Sequence, residues 1–177
     1  MSDLISGPAI TEYFRDGFQH TAWRWETRRA YGVAAESEAL RAFLRGEDVS
    51  DPGRPWLALM RDLTAARKTV GRVRLVDDPP TDYQRFLLAD VLDSVEAGED
   101  IRYLQRTEAQ RHGLPEYDFW LFDSRTIGIF AFDGDRSLGM ALSEDPAEVL
   151  KGCQIRDAAL HFAIPAREFT AQVPSSV

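Results

Sequence analysis

Arg24, Glu26 and Arg28, each two residues from the next, are the clearest candidates for chemistry in this chain. They alternate with Trp23, Trp25 and Thr27, and a period of two with aromatic and β-branched residues predicts a half-buried strand. On a strand the three charged side chains share one face at intervals of about 7 Å. Two guanidiniums flanking a carboxylate can form a pocket for an anion or a carboxylate, with Glu26 orienting the arginines. The same pattern equally describes a solvated strand face whose screened ion pairs are worth little each.

A second group of candidates surrounds a predicted strand–helix–strand unit. Val73 to Val76 reads as a short strand with Arg72 and Arg74 projecting from one side. Asp77-Asp78-Pro79-Pro80 breaks it, and Thr81 with Gln84 then forms a capping box, with Asp82 adding negative charge at the positive helix end. Leu88, Val91, Leu92 and Val95 make an i, i+3, i+4, i+7 stripe, so one helix is expected as far as its terminator, Gly98. Asp100 to Leu104 is the next strand, and this order predicts a parallel βαβ unit. Ligands in open α/β sheets collect beyond the carboxyl ends of strands. That places Arg74 and Arg102 near one another, with Tyr83 and Arg85 at the same edge. Asp118 and Trp120 complete the rim of a candidate cleft.

The elements that would hold these residues can be read in turn. Tyr13, Phe14 and Phe18 predict a short helical turn weakened at Gly17. Glu36 to Arg45 is a helix with Leu40, Phe43 and Leu44 on its inner face, closed at Gly46. Pro55 begins another, with Trp56, Leu59, Met60 and Leu63 as a core stripe, and Lys68 to Gly71 ends it. Gln105 to Pro115 reads as a polar loop. Asp118 to Asp123, Thr126 to Asp133 and Leu138 to Leu142 follow at spacings that require antiparallel neighbours, and their continuous apolar runs predict strands covered on both faces. Gly128 marks a bulge or a close approach. Asp145-Pro146-Ala147-Glu148 opens a last helix with a good N-cap.

The fold class expected is therefore mixed α/β. A βαβ unit is followed by an antiparallel meander in one mixed sheet, with helices on its faces. Residues 1–177 are expected to form one domain, with 1–70 as a helical and strand extension, 71–165 as the α/β core and 166–177 as a tail.

Composition excludes several classes. A chain of 177 residues with 44% hydrophobic and 28% charged content can bury a core without disulfides, and its single cysteine, Cys153, allows no intramolecular disulfide and no multi-cysteine metal site. No apolar run approaches the roughly 18 residues of a membrane span, and no leader is visible, so a cytoplasmic location is expected. The net charge of −8 argues against direct nucleic-acid binding. His20, His112 and His161 lack metal-motif spacing. There is no phosphate loop, no Gly-x-Gly-x-x-Gly and no Gly-x-Ser-x-Gly elbow. Glu26, Glu99, Asp118, Asp123 and Asp133 are plentiful carboxylates, but their spacing selects no acid/base pair. A metal site at Asp118, Asp123 or Asp133 competes with capping and turn roles. No catalytic residue, metal or cofactor is assigned.

Four segments together carry a family resemblance. They are His20 to Arg28 with Tyr31, Thr81-Asp82-Tyr83-Gln84-Arg85-Phe86, Ala97-Gly98-Glu99-Asp100-Ile101-Arg102, and Leu114 to Asp123. Over roughly Phe18 to Pro165 the chain resembles an uncharacterised domain family common in actinomycetes, with Trp25 standing where leucine is usual. Members often sit beside helix-turn-helix regulators and small acidic partner proteins, which implies a regulatory or interaction role. From Val73 onward the chain also looks like half of a phospholipase D-type domain. That superfamily's His-x-Lys motif is missing at His20, His112 and His161, so the likeness implies architecture without phosphodiesterase chemistry. The expectation is a non-catalytic regulatory or interaction domain that binds a partner protein, such as a helix-turn-helix regulator, or a small anionic ligand. Its candidates are Arg24, Glu26, Arg28, Arg74, Tyr83, Arg85, Arg102, Asp118 and Trp120. The alternative is a small-molecule enzyme of specialised metabolism with a carboxylate acid/base in the same cleft.

Overall fold

A computed structural model describes residues 4–32, 34–49, 51 and 53–172. Among these residues eight strands form one mixed sheet. They are β1 (Leu4–Ile5), β2 (Thr21–Glu26), β3 (Thr69–Val76), β4 (Glu99–Gln105), β5 (Phe119–Phe122), β6 (Thr126–Asp133), β7 (Arg136–Ser143) and β8 (Ile164–Pro165). Their spatial order is β1-β7-β6-β5-β2-β3-β4-β8. The expected mixed α/β class holds. β2, β3 and β4 are mutually parallel, and all other neighbours are antiparallel.

Among the described residues eight helices flank the sheet: α1 (Pro8–Asp16), α2 (Ala34–Leu44), α3 (Pro55–Ala65), α4 (Asp82–Ala89), α5 (Val91–Glu96), α6 (Arg106–Arg111), α7 (Pro146–Phe162) and α8 (Ala166–Gln172). One face of the sheet presents Trp23, Trp25, Val73, Leu75, Phe119 and Leu121, packed against Ala109 of α6 and Val149, Ile155 and Ala159 of α7. The other face carries Ala22, Val70, Trp120 and Phe122 under Phe14 of α1 and Leu57, Met60 and Leu63 of α3. Both faces are covered, as the apolar runs require, and each fully buried aromatic or aliphatic side chain contributes roughly 1.5–3 kcal/mol of transfer free energy.

Several boundaries differ from expectation for identifiable reasons. Residues 1–70 do not stand outside the sheet, because β2 lies between β5 and β3 at its centre. The helix predicted to run to Gly98 breaks at Asp90, whose backbone leaves helical geometry and whose carboxylate meets Arg54 Nη1 at 2.6 Å. The break turns Leu92 outward, where it is exposed, while Val91 stays buried. Leu44, placed on the inner face of α2, is also exposed. The polar stretch after Gln105 contains α6, held by the buried Ala109. Lys68 lies beyond α3 and donates to the carbonyls of Arg15 and Phe18, closing the end of α1. Residues 166–172 of the expected tail form a helix anchored by Phe169, whose ring stacks on Tyr103 at 4.8 Å. Residues 173–177 lie outside the described residues.

The capping box is present: Thr81 Oγ1 accepts from Gln84 N at 3.2 Å and Gln84 Oε1 accepts from Thr81 N at 3.0 Å. Gly128 is a close approach, since a Cβ there would stand 2.3 Å from Met140 Sδ, and the irregularity in β6 lies instead between Ala131 and Phe132.

Candidate functional site

Strand register decides which charged residues meet. Parallel pairing aligns Arg24 with Arg72, and Glu26 with Arg74 and Tyr103, on one face of the sheet. Glu99, at the start of β4, stands on the same face one pair earlier, opposite Val70. Period-two alternation then stacks these side chains beneath the helices instead of exposing them.

The result is a continuous buried polar cluster. Glu99 Oε1 accepts from Arg72 Nε at 2.5 Å, and Glu99 Oε2 accepts from Trp56 Nε1 at 2.9 Å. Glu26 Oε2 accepts from Arg72 Nη1 at 3.2 Å and from Arg74 Nε at 2.8 Å, while Arg24 Nη2 lies 3.8 Å from Glu26 Oε1. Arg24 also reaches Asp118 Oδ2 at 3.4 Å. The other Asp118 oxygen accepts from Thr27 N at 2.9 Å and Thr27 Oγ1 at 2.7 Å, and the Tyr31 hydroxyl donates to Oδ2. Three guanidiniums, those of Arg24, Arg72 and Arg74, therefore face three carboxylates, those of Glu26, Glu99 and Asp118. Aromatic rings close the remaining sides. Arg24 lies over Phe130 and Tyr31 at 5.0 and 5.3 Å, and Arg72 over Trp56 at 5.3 Å.

The electrostatics follow from this geometry. Burial pushes the Glu26 carboxyl upward, but the guanidiniums of Arg74, Arg24 and Arg72 outweigh it and hold it far below the usual carboxylate range. Burial would lower Arg24, yet Glu26 and its neighbours raise it, so it stays charged. Burial, and then Glu26, push the Tyr31 hydroxyl well up. Burial and the nearby Glu36 do the same for Tyr83, whose hydroxyl donates to Glu36 Oε2 at 2.5 Å. General acid–base catalysis works best when the group titrates near the working pH, and Glu26 is locked as an anion. Burial also raises the Asp90 carboxyl, which is paired with Arg54 and feels the Arg74 guanidinium.

A cavity of about 10 Å³ lies beside the cluster, lined by Glu26, Arg28, Tyr31, Arg74, Gln84 and Tyr103 among others. It lies toward the C-terminal ends of β2, β3 and β4, where the topology directs ligands, but its volume matches roughly one water molecule. Among the described residues no group of three or more His, Cys, Asp or Glu side chains is arranged to hold a metal ion.

The structure gathers Arg24, Glu26, Arg74 and Asp118 into one cluster and places Tyr83 nearby. The others lie outside its ion pairs. Arg28 lines the adjoining cavity but makes its hydrogen bonds elsewhere, donating to Gly134 O at 2.6 Å and to Asp135 Oδ1 at 3.0 Å over the Phe132 ring. Arg85 pairs at the surface with Asp82 at 2.5 Å. Arg102 is aligned with Val73, not Arg74, so it projects from the opposite face and pairs with Asp100 at 3.1 Å. Trp120, the register partner of Arg24, is buried with its ring against the guanidiniums of Arg24 and Arg72 at 5.8 and 5.7 Å, so it closes one side of the cluster. Asp123 is engaged in a turn role: its carboxylate accepts from the backbone N–H groups of Gln19, His20 and Thr21 at 2.7, 2.8 and 2.8 Å. Asp133 pairs with Arg136 at 3.0 Å.

Glu99, named only among the plentiful carboxylates, Trp56, read as part of a core stripe, and Tyr103, not named as a candidate, belong to the cluster or its cavity. The available signal was the Val70, Arg72, Arg74, Val76 alternation in β3, which interleaves charges with core residues on one face.

Among the curated proteins no match to the chain was found. The family model described as "Domain of unknown function (DUF6879)" matches residues 8–171. With nearly its whole length covered, the chain belongs to this family of domains of unknown function.

Proposed function

We propose that this chain is a non-catalytic interaction domain that regulates by docking a partner protein. One observation carries the reading: the charges of the polar cluster at the ends of the parallel strands are matched within the cluster itself. Three guanidiniums are matched by three carboxylates around a cavity of about 10 Å³. An anion site needs positive charge left over for its ligand, and an acid/base site needs a carboxyl that can exchange its proton. The matched charges leave no surplus for an anion, and Glu26 is held as an anion, which favours docking over the enzyme alternative in the same cleft.

Because the cluster is formally neutral, the net charge of −8 belongs to the rest of the molecule. That charge suits a partner with a basic surface, which is the ordinary character of a helix-turn-helix regulator. The gene neighbourhood implied by the family resemblance points to the same class of partner.

The test is capture from native lysate followed by calorimetry of the purified partner against the chain at low and high salt. A stoichiometric complex with a basic protein is expected. Failure of every captured protein to rebind once purified, or turnover of a small molecule by the chain alone, would overturn the proposal.

A further inference from the structure

We infer that the cavity between Glu26, Arg74 and Tyr103 is a binding site for one ordered water molecule, which is a fixed member of the polar cluster. Tyr103 is 3% exposed and lines the cavity, and its hydroxyl proton finds no acceptor among the described residues. The Arg74 guanidinium beside it carries only donors, so it can give a hydrogen bond to Tyr103 but cannot take one. Glu26 offers an acceptor. Its Oε2 accepts from both Arg72 and Arg74, whereas its Oε1 faces Arg24 at 3.8 Å, beyond hydrogen-bond range.

The occupant must therefore accept from Tyr103 and donate toward Glu26. An inorganic anion accepts, but it would stand against the Glu26 carboxylate. A cation cannot accept, and it would meet Arg74 and Arg28. Water does both. The size agrees, since a cavity of about 10 Å³ holds roughly one water when two to four polar groups line it. The site also explains how a buried tyrosine is tolerated in β4 at the register position of Glu26 and Arg74. The water completes the hydrogen bonding that strand geometry leaves open.

Two measurements on the full chain test this. A crystal structure at a resolution that orders internal solvent should show one peak about 3 Å from both Tyr103 Oη and a Glu26 carboxylate oxygen. Water–protein nuclear Overhauser effects in solution should show a long-lived water at the lining residues. In Tyr103→Phe the peak and the Overhauser effects should be lost, while circular dichroism shows the fold retained. Protein atoms closing the cavity, or density for a larger ion, would overturn the inference. So would a peak that persists unchanged in Tyr103→Phe. If that variant does not fold, the wild-type density alone decides.

Discussion

Glu26 is the residue on which the interior charges converge, because it faces Arg24, Arg72 and Arg74 at once. Replacing it with Gln keeps the shape but leaves the guanidiniums short of one negative charge. Breaking a buried pair in this way costs about 3–5 kcal/mol, so Glu26→Gln should lower the urea midpoint sharply. Arg28→Ala, at a more accessible pair with Asp135, should cost about 1 kcal/mol or less in the same measurement. An equal loss in the two variants would contradict the network described for Glu26.

Asp123 gives a pH prediction. Burial raises its carboxyl, but the backbone N–H groups of Gln19, Thr21 and His20 outweigh it, and the net displacement is downward. A carboxyl held lower in the folded chain than in the unfolded one stabilises the fold above the unfolded value, about pH 4. That contribution is lost as pH falls through the folded value. Asp123→Asn should therefore be less stable than wild type by about 1–3 kcal/mol at pH 7. In urea melts repeated toward pH 2, the two proteins should converge. A gap that stays constant with pH would rule out the carboxylate's charge as its source.

At the scale of elements, the helix starts were legible because caps are local. Thr81 with Gln84, and Asp145 before Pro146, act on residues within one turn of themselves. Gln84 goes further, since its Nε2 donates to Asp77 Oδ2 at 2.8 Å and its Oε1 accepts from Asp77 N at 3.1 Å. Gln84→Ala should thus cost more than the roughly 0.5–2 kcal/mol expected for Thr81→Ala, a difference read from paired thermal melts. The break at Asp90 was hidden because its cause, Arg54, lies far away in sequence. Gly128 was readable as a special position, although its reason is the Met140 side chain. Gly128→Ala should cost about 1–3 kcal/mol by overpacking. Met140→Ala in that background should recover part of the loss in a double-mutant cycle on chemical denaturation. Strict additivity would show that the two sites do not share the space.

For the whole molecule, the fold class was legible from strand spacing and apolar runs, but the candidate site was only half legible. Arg24, Glu26 and Arg28 are visible as a charged strand face. Whether that face meets water or Arg72 and Arg74 depends on β3 lying alongside β2, a pairing between residues some 48 positions apart in sequence. The same uncertainty put Arg102 beside Arg74, when a one-residue difference in register sends it to the other face. The neutral interior also sets a prediction for association. With charge −8 outside the cluster, affinity for a basic partner should fall as salt rises from about 0.05 to 0.5 M, where the screening length shrinks severalfold. Calorimetry that finds no dependence on salt would exclude charge as the basis of docking.

The order of strands has a practical use as a ruler. β1 and β8 are the two outermost strands, so Leu4 and Ile164 stand at opposite margins of the sheet. With neighbouring strands about 4.8 Å apart, that separation is on the order of 30 Å, well inside the working range of a fluorescent donor–acceptor pair. Among the described residues each outermost strand is two residues long, and one of them ends in Pro165, which has no N–H to offer another chain. Dyes attached there would sit at ends with little ladder to disturb. Their transfer efficiency would report in one number whether all the intervening strands are in place.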